Sequence, residues 1–156
     1  VQHSDQPSTD PQIPVTGRIL ALDPGTKRMG VAVSDEFRIT IRRLPFIERS
    51  SWKKLLTCVK DMIEEFDAKA LVIGLPLNTD GSESEMSAEA RLLARKFSLS
   101  LSIPVYLQDE RVTSYEARGR LWKSGIKPEK TREMVDGEAA SIILADFLDR
   151  ASRSNL

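Results

Sequence analysis

Residues 18–34 read RILALDPGTKRMGVAVS, and the fold follows from this stretch. Arg18 to Asp23 is a short apolar run ending in a carboxylate, the mark of a buried strand. Gly25 and Gly30 bracket the turn that follows, and Gly30 to Ser34 reads as a second strand. Next, Arg38 to Leu44 alternates, with Ile39 and Ile41 on one face and Arg38, Thr40 and Arg42 on the other, which predicts a third, half-exposed strand. Three strands joined by short turns imply an antiparallel meander.

The period then changes. Trp52, Leu55, Leu56, Val59, Met62, Ile63 and Phe66 recur at helical spacing after Ser50 or Ser51 as N-cap. Ala70 to Gly74 (ALVIG) is a continuous apolar strand of the kind buried on both faces of a parallel sheet. The polar loop LNTDGSES leads to a helix over 85–98, and Val105 to Leu107 supplies a fifth strand. Thr113 and Glu116 form a capping box that starts a helix soon after Glu110. A last helix carries Ala139, Ala140, Ile142, Ile143, Leu144, Phe147 and Leu148. The order β-β-β-α-β-α-β-α-α predicts an α/β domain with a five-stranded mixed sheet, three antiparallel strands then two parallel, flanked by helices.

Composition narrows the chemistry. A chain of 156 residues, 40% hydrophobic, is the size of one domain that needs no cross-links. The single cysteine, Cys58, excludes an internal disulfide and suits a reducing cytoplasm. The single histidine, His3, lies in the proline-containing run VQHSDQPSTDPQIPVTG, which has no hydrophobic segment like that of a signal peptide. We therefore expect residues 1–16 to be a disordered tail, 17–150 the domain and 151–156 a second tail. No apolar run is long enough to span a membrane. Lysine plus arginine and aspartate plus glutamate both number 23, so any nucleic-acid binding rests on local patches and not on net charge.

Carboxylates mark the ends of the predicted elements: Asp23 after the first strand, Asp109 and Glu110 after the fifth, and Asp136 near the start of the last helix. If strands one, four and five run parallel, their C-terminal ends share one edge, where ligands of α/β sheets collect. Acids crowded there repel unless protonated or bridged, and Mg²⁺, which takes a few carboxylates and keeps several waters, is the natural bridge. A two-ion arrangement, roughly 3.5–4 Å apart, serves phosphodiester hydrolysis. Taken singly, each residue has a plainer reading: Asp23 as a turn residue, Asp136 in the first turn of a helix, and Asp109-Glu110-Arg111 as a surface ion-pair cluster.

Four segments carry a resemblance. DPGTKRMGVAVSD (from Asp23), LVIGLPLNTDGSES (from Leu71), LQDERVTS (from Leu107) and VDGEAASIIL (from Val135) are similar, in order and spacing, to the motifs of the YqgF/RuvX family of Holliday-junction-resolvase-like nucleases. The resemblance spans about residues 17 to 150. It implies a ribonuclease H-like fold and a Mg²⁺-dependent nuclease, with Mn²⁺ as a substitute, in which Asp23, Glu110 and Asp136 are the catalytic, metal-binding carboxylates. It further implies a cytoplasmic enzyme acting on structured RNA, at the 5′ end of precursor 16S ribosomal RNA, with DNA junction resolution as the alternative. Leu75-Pro76 stand where related RuvC-type resolvases place a glutamate, which puts more weight on Glu110. The oligomeric state, monomer or homodimer, stays open.

Supporting roles are expected for several polar residues. Gly25 and Thr26 can offer backbone N–H groups to a phosphate, with Lys27 or Arg28 as charge partner. Asn78, in the loop after strand four, serves either a substrate or the turn itself. Arg111 either neutralises Glu110 or touches phosphate. Arg118, Arg120, Lys123, Lys127, Lys130 and Arg132 form a basic stretch around Trp122, either a solvated face or a substrate guide, with Lys123, Lys127 and Lys130 as the candidate contacts. Two other classes compete with a nuclease. A sugar-kinase-like phosphotransferase would share the Asp-x-Gly-Thr loop but needs two lobes, more than one domain supplies. A nucleic-acid-binding module without catalysis would be hindered by crowded acids.

Overall fold

Strand β1 (Ile19–Pro24) holds the centre of the sheet, with Ile19, Leu20, Ala21 and Leu22 fully buried because helices cover both faces. The computed structural model describes residues 13–14, 16–25, 27–111 and 135–154, with side-chain surroundings from 138 to 152 in the last segment. The remaining elements are β2 (Arg28–Ser34), β3 (Ile41–Glu48), α1 (Trp52–Phe66), β4 (Ala70–Leu75), α2 (Glu85–Ser100), β5 (Val105–Asp109) and α3 (Val135–Ser154). Strand order is β3-β2-β1-β4-β5. β1 pairs antiparallel with β2 (Asp23 opposite Gly30) and parallel with β4 (Leu22 opposite Ile73), and β4 pairs parallel with β5 (Leu75 opposite Asp109). The expected mixed sheet is therefore present, and the C-terminal ends of β1, β4 and β5 share one edge.

Alternation along the strands divides the core. Leu20, Leu22, Val31, Leu71 and Ile73 face α1 and α2 through Leu55, Val59 and Phe97. Ile19, Ala21, Ala32 and Val72 face α3 through Ile143, Leu144, Phe147 and Leu148. Ser51 is the N-cap of α1, its Oγ accepting from Lys54 N–H at 3.3 Å. The helix begins with Trp52, whose ring meets Phe97 of α2 edge-on, centroids 4.8 Å apart. Ser84 caps α2, accepting from Ser87 N–H, while the Ser87 hydroxyl accepts from Ser84 N–H.

Three expectations need adjustment. Residues 38–40 do not belong to β3, and Ile39 is 68% exposed. The Asp35 carboxylate accepts from the N–H groups of Phe37, Ile39 and Thr40, which folds the segment into a closed turn before the strand begins. β5 runs on to Asp109, so that carboxylate is in the strand and not after it. α3 continues past residue 150 to Ser154, with Ala151 buried, so this helix ends within the stretch expected to be a tail. At the other end, Ile13 packs on the α3-side core and the Pro14 carbonyl accepts from Arg38. The helix predicted after Glu110 lies outside the described residues. Among the described residues no helix is long and apolar enough to cross a membrane.

Candidate active site

Two of the predicted carboxylates meet at the C-terminal edge of the sheet. Asp23, half-buried, is the penultimate residue of β1, and Glu110 follows β5 directly, its N–H donating to Leu75 O of β4 at 3.1 Å. Their side chains share a hydrogen bond. Burial pushes the Glu110 carboxyl up from 4.5 to about 8, reinforced by the hydrogen bond to Asp23, the Asp23 charge and the charge of Asp109. Among the described residues, the charges that act on it are thus negative. A carboxylate held so far from its ordinary range beside a second acid, at the ligand-binding edge of the sheet, is a functional-site signal.

Gly74 makes the arrangement possible. A Cβ at this position would lie 2.5 Å from Ile143 Cδ1 and 2.7 Å from Glu110 Oε1, so a larger residue would have to push the tips of both side chains aside, and glycine leaves the Glu110 carboxyl where it is. The sequence reading took Gly74 only as the end of an apolar run; an isolated glycine in a strand is the available signal of close approach. Beside it, Gln108 is buried with its Oε1 unpaired.

Asp136 is the second residue of α3, and its side chain lies outside the described residues. The helix direction is nonetheless informative. Ile143 touches the level of Gly74 and Glu110, while Phe147, one turn later, stacks on Tyr106 nearer the start of β5. α3 therefore runs opposite to β4 and β5, and its first turn lies toward the edge that carries Asp23 and Glu110.

The neighbouring residues behave differently from expectation. Arg111 does not neutralise Glu110. It grips Asp109, with Nη2 2.7 Å and Nε 3.0 Å from Oδ2, and its backbone N–H donates to Oδ1 at 2.9 Å. The chain turns after β5, and the Arg111 N–H on the Asp109 carboxylate brings side chains 109 and 111 together while Glu110 meets Asp23 instead. The Arg111 hydrogen bonds hold Asp109 below the usual carboxylate range. The guanidinium also lies against Gly81 in the loop after β4, where a Cβ would be 3.0 Å from Nη1. In the same loop Asn78 closes the turn, donating to Ser82 Oγ at 3.0 Å and Glu83 O at 3.1 Å.

Gly25 does not offer its N–H outward, because that group donates to Asp23 O at 2.9 Å. A Cβ there would lie 2.4 Å from Arg28 O, so glycine is required by the tight turn that presents Asp23. Lys27 is exposed beside this turn. Thr26, the basic residues from Arg118 to Arg132 (Lys123, Lys127 and Lys130 among them) and Trp122 lie outside the described residues.

The donor set fits a hard divalent ion: two oxygen-bearing side chains in hydrogen-bond contact, one holding a proton that a cation would displace. Among the described residues no group of three acids or other metal-binding side chains is assembled. The described site thus brings together Asp23 and Glu110, while the side chain of Asp136 lies outside the described residues.

Comparison with other proteins speaks to the family and the fold. A protein of Syntrophus aciditrophicus named "Putative pre-16S rRNA nuclease" is 39% identical over 139 residues, covering 89% of this chain and 93% of its own length. One of Koribacter versatilis with the same name is 40% identical over 136 residues, covering 87% and 89%. Among solved structures, Thermus thermophilus RuvC in complex with a Holliday junction substrate superposes with a TM-score of 0.55 at 15% identity, covering 88% of this chain and 97% of that one. That likeness establishes the RuvC-like, ribonuclease H-type fold. Residues 17–150 match the family described as "RuvX: Holliday junction resolvase", and the chain belongs to that family.

Proposed function

We propose that this protein is a nuclease that hydrolyses phosphodiester bonds at the Asp23–Glu110 edge, with Asp136 as third carboxylate and Mg²⁺, replaceable by Mn²⁺, as cofactor. The observation that carries the reading is the pairing of two acids at the ligand-binding edge of the sheet, one of them pushed up to about 8 by burial and by the other. A bound divalent ion would supply Lewis-acid stabilisation of the charge that develops on the phosphoryl oxygens. The chain's own part is orientation. Gly25 holds the turn that presents Asp23, Gly74 makes room for Glu110, and the Glu110 N–H bond to Leu75 O locks the end of β5 against β4.

The names carried by the relatives favour precursor 16S ribosomal RNA as substrate. The 5′ end of that RNA and a cytoplasmic place of action are what the motif resemblance adds to the reading. The family's description keeps a four-way DNA junction as the second reading, which calls for a symmetric dimer. Purified protein with Mg²⁺ or Mn²⁺, offered a precursor ribosomal RNA fragment and a four-way junction side by side, decides between them. Cleavage of the RNA alone supports the first reading, cleavage of the junction alone the second. Cleavage of neither, under conditions where the protein is folded, removes the nuclease assignment.

A further inference from the structure

β3 ends at the same edge of the sheet as the carboxylate pair, because Arg28 is opposite Glu48 and Pro24 is opposite Met29. Here the ladder slips. Val31 pairs with Leu44 but Met29 pairs with Ile47, so β3 holds one extra residue in a bulge around Pro45 and Phe46. Bulges at sheet edges re-aim side chains beside active sites. This one leaves Phe46 44% exposed, with the Arg28 guanidinium 4.9 Å from its ring centroid. Phe46 forms part of a groove of about 670 Å³ between β3 and α1 whose other lining residues include Lys53, Lys54, Cys58 and Met62.

An isolated exposed apolar residue calls for no explanation. The cations here do. Lys53 and Lys54 occupy the first turn of α1, where no acid is present and where positive charge opposes the helix dipole. They outnumber the groove's one acid, Glu48, and Arg28 stands at its rim. The pattern is an aromatic face with positive charge around it, which is what a single-stranded nucleic acid requires: base on ring, phosphate on lysine. A second copy of this chain suits the place less well. β3 is an outer strand, but Pro45 near its middle has no N–H to give a partner strand, and Arg42 and Arg43 put like charge along it.

We propose that this groove binds a single-stranded segment of the nucleic-acid substrate, stacking a base on Phe46 and setting phosphates against Lys53, Lys54 and Arg28. The groove is on the α1 face of the sheet and two strand spacings, roughly 10 Å, from β1, so that the strand would turn round the shared edge to reach the carboxylates on the α3 face. The inference rests on the nuclease reading for its direction toward the site, and its test is independent of cleavage. Cys58, the chain's one cysteine, is exposed and lines the groove, so it reports occupancy. A labelled oligouridylate of roughly fifteen nucleotides, a length within reach of ordinary single-strand sites, is titrated in EDTA. Saturation is expected to slow alkylation of Cys58 several-fold. Phe46→Leu, which keeps the apolar contact but loses the ring, should weaken binding roughly ten-fold, while Phe46→Trp should retain it. Lys53→Ala with Lys54→Ala should flatten the slope of log affinity against log salt by up to about 1.4, at roughly 0.7 per phosphate on a single strand. Matching melting curves confirm that the variants fold.

Unaltered Cys58 reactivity at saturation, or wild-type affinity and salt slope in the folded Leu and Ala variants, overturns the proposal. So does a dimer in light scattering that already shields Cys58 and dissociates on Phe46→Leu. If precursor RNA is cleaved in Mg²⁺ while Cys58 stays unprotected, the groove proposal alone fails. If Cys58 is protected and nothing is cleaved, the nuclease reading alone fails.

Discussion

Asp109 and Glu110 are consecutive carboxylates with opposite fates. Asp109, on one side of the chain, meets Arg111 in a bidentate grip and stays below the ordinary range. Glu110, on the other, is turned into the protein against Asp23 and is pushed up to about 8. One peptide unit separates an acid held by an arginine from an acid that, among the described residues, is faced by other acids. The first serves architecture, anchoring Arg111 beneath the loop at Gly81. The second is an electrostatic liability in the metal-free protein, and that is the condition a cation site requires.

The most severe way to break this contrast is to remove the partner acid. Asp23→Asn is expected to lower cleavage by more than about a hundred-fold, since changes that only touch a metal's outer contacts already cost ten- to a hundred-fold. Its metal-free melting temperature should equal or exceed that of the wild type, because one of the two opposed charges is gone. Wild-type turnover in this variant would take Asp23 out of the mechanism.

Gly74→Ala attacks the same site through packing. The new methyl collides with Ile143 and Glu110, so a loss of about 1–3 kcal/mol in unfolding free energy is expected from overpacking, with cleavage reduced as Glu110 is displaced. Denaturant titration and initial rates check both. A stable, fully active Gly74→Ala protein would mean that α3 and Glu110 need no such close approach.

Titration separates the two acids directly. Glu110 binds its proton more tightly in the folded than in the unfolded chain, so its stabilising contribution is complete below about 4.5 and is lost as pH rises through about 8. With chelator present, unfolding free energy should therefore decline across that window, and Glu110→Gln should flatten the decline. Asp109 is shifted the other way, so its contribution is present at neutral pH and lost only as pH falls through the acid range below its ordinary 3.8. A wild-type profile that does not fall between about 4.5 and 8 would contradict the burial of Glu110.

The smallest effect is expected from Asp109→Asn. Removing that charge should lower the Glu110 midpoint, but by less than Asp23→Asn does, because Asp23 contributes both a hydrogen bond and a charge. Carboxyl resonances followed by NMR across the pH range give both midpoints. Equal shifts in the two variants would show that distance, and not the shared hydrogen bond, governs the pair.

The amino-acid sequence by itself determined the elements and their order. ILAL and ALVIG are apolar without alternation, and they become the strands covered on both faces; the stripe from Trp52 to Phe66 becomes α1 with Ser51 as its cap. Such patterns are local, written in the period of the backbone, and so are readable one segment at a time. The family motifs also picked out Asp23 and Glu110 as partners before any geometry was known. Other features turned on contacts that the hydrophobic pattern does not announce, some of them only a few residues apart. Ile39 left its strand because Asp35 collected the N–H groups of the turn. Arg111 went to Asp109 and not to Glu110 because the turn after β5 sets its backbone N–H, and with it the guanidinium, on the Asp109 carboxylate. Gly25 turned its N–H inward. The raised Glu110 proton affinity, the need for glycine at 74 and the bulge that exposes Phe46 have no local signature. Each arises where side chains far apart in sequence compete for the same few ångströms, and only the packed tertiary structure decides which of them occupies that space.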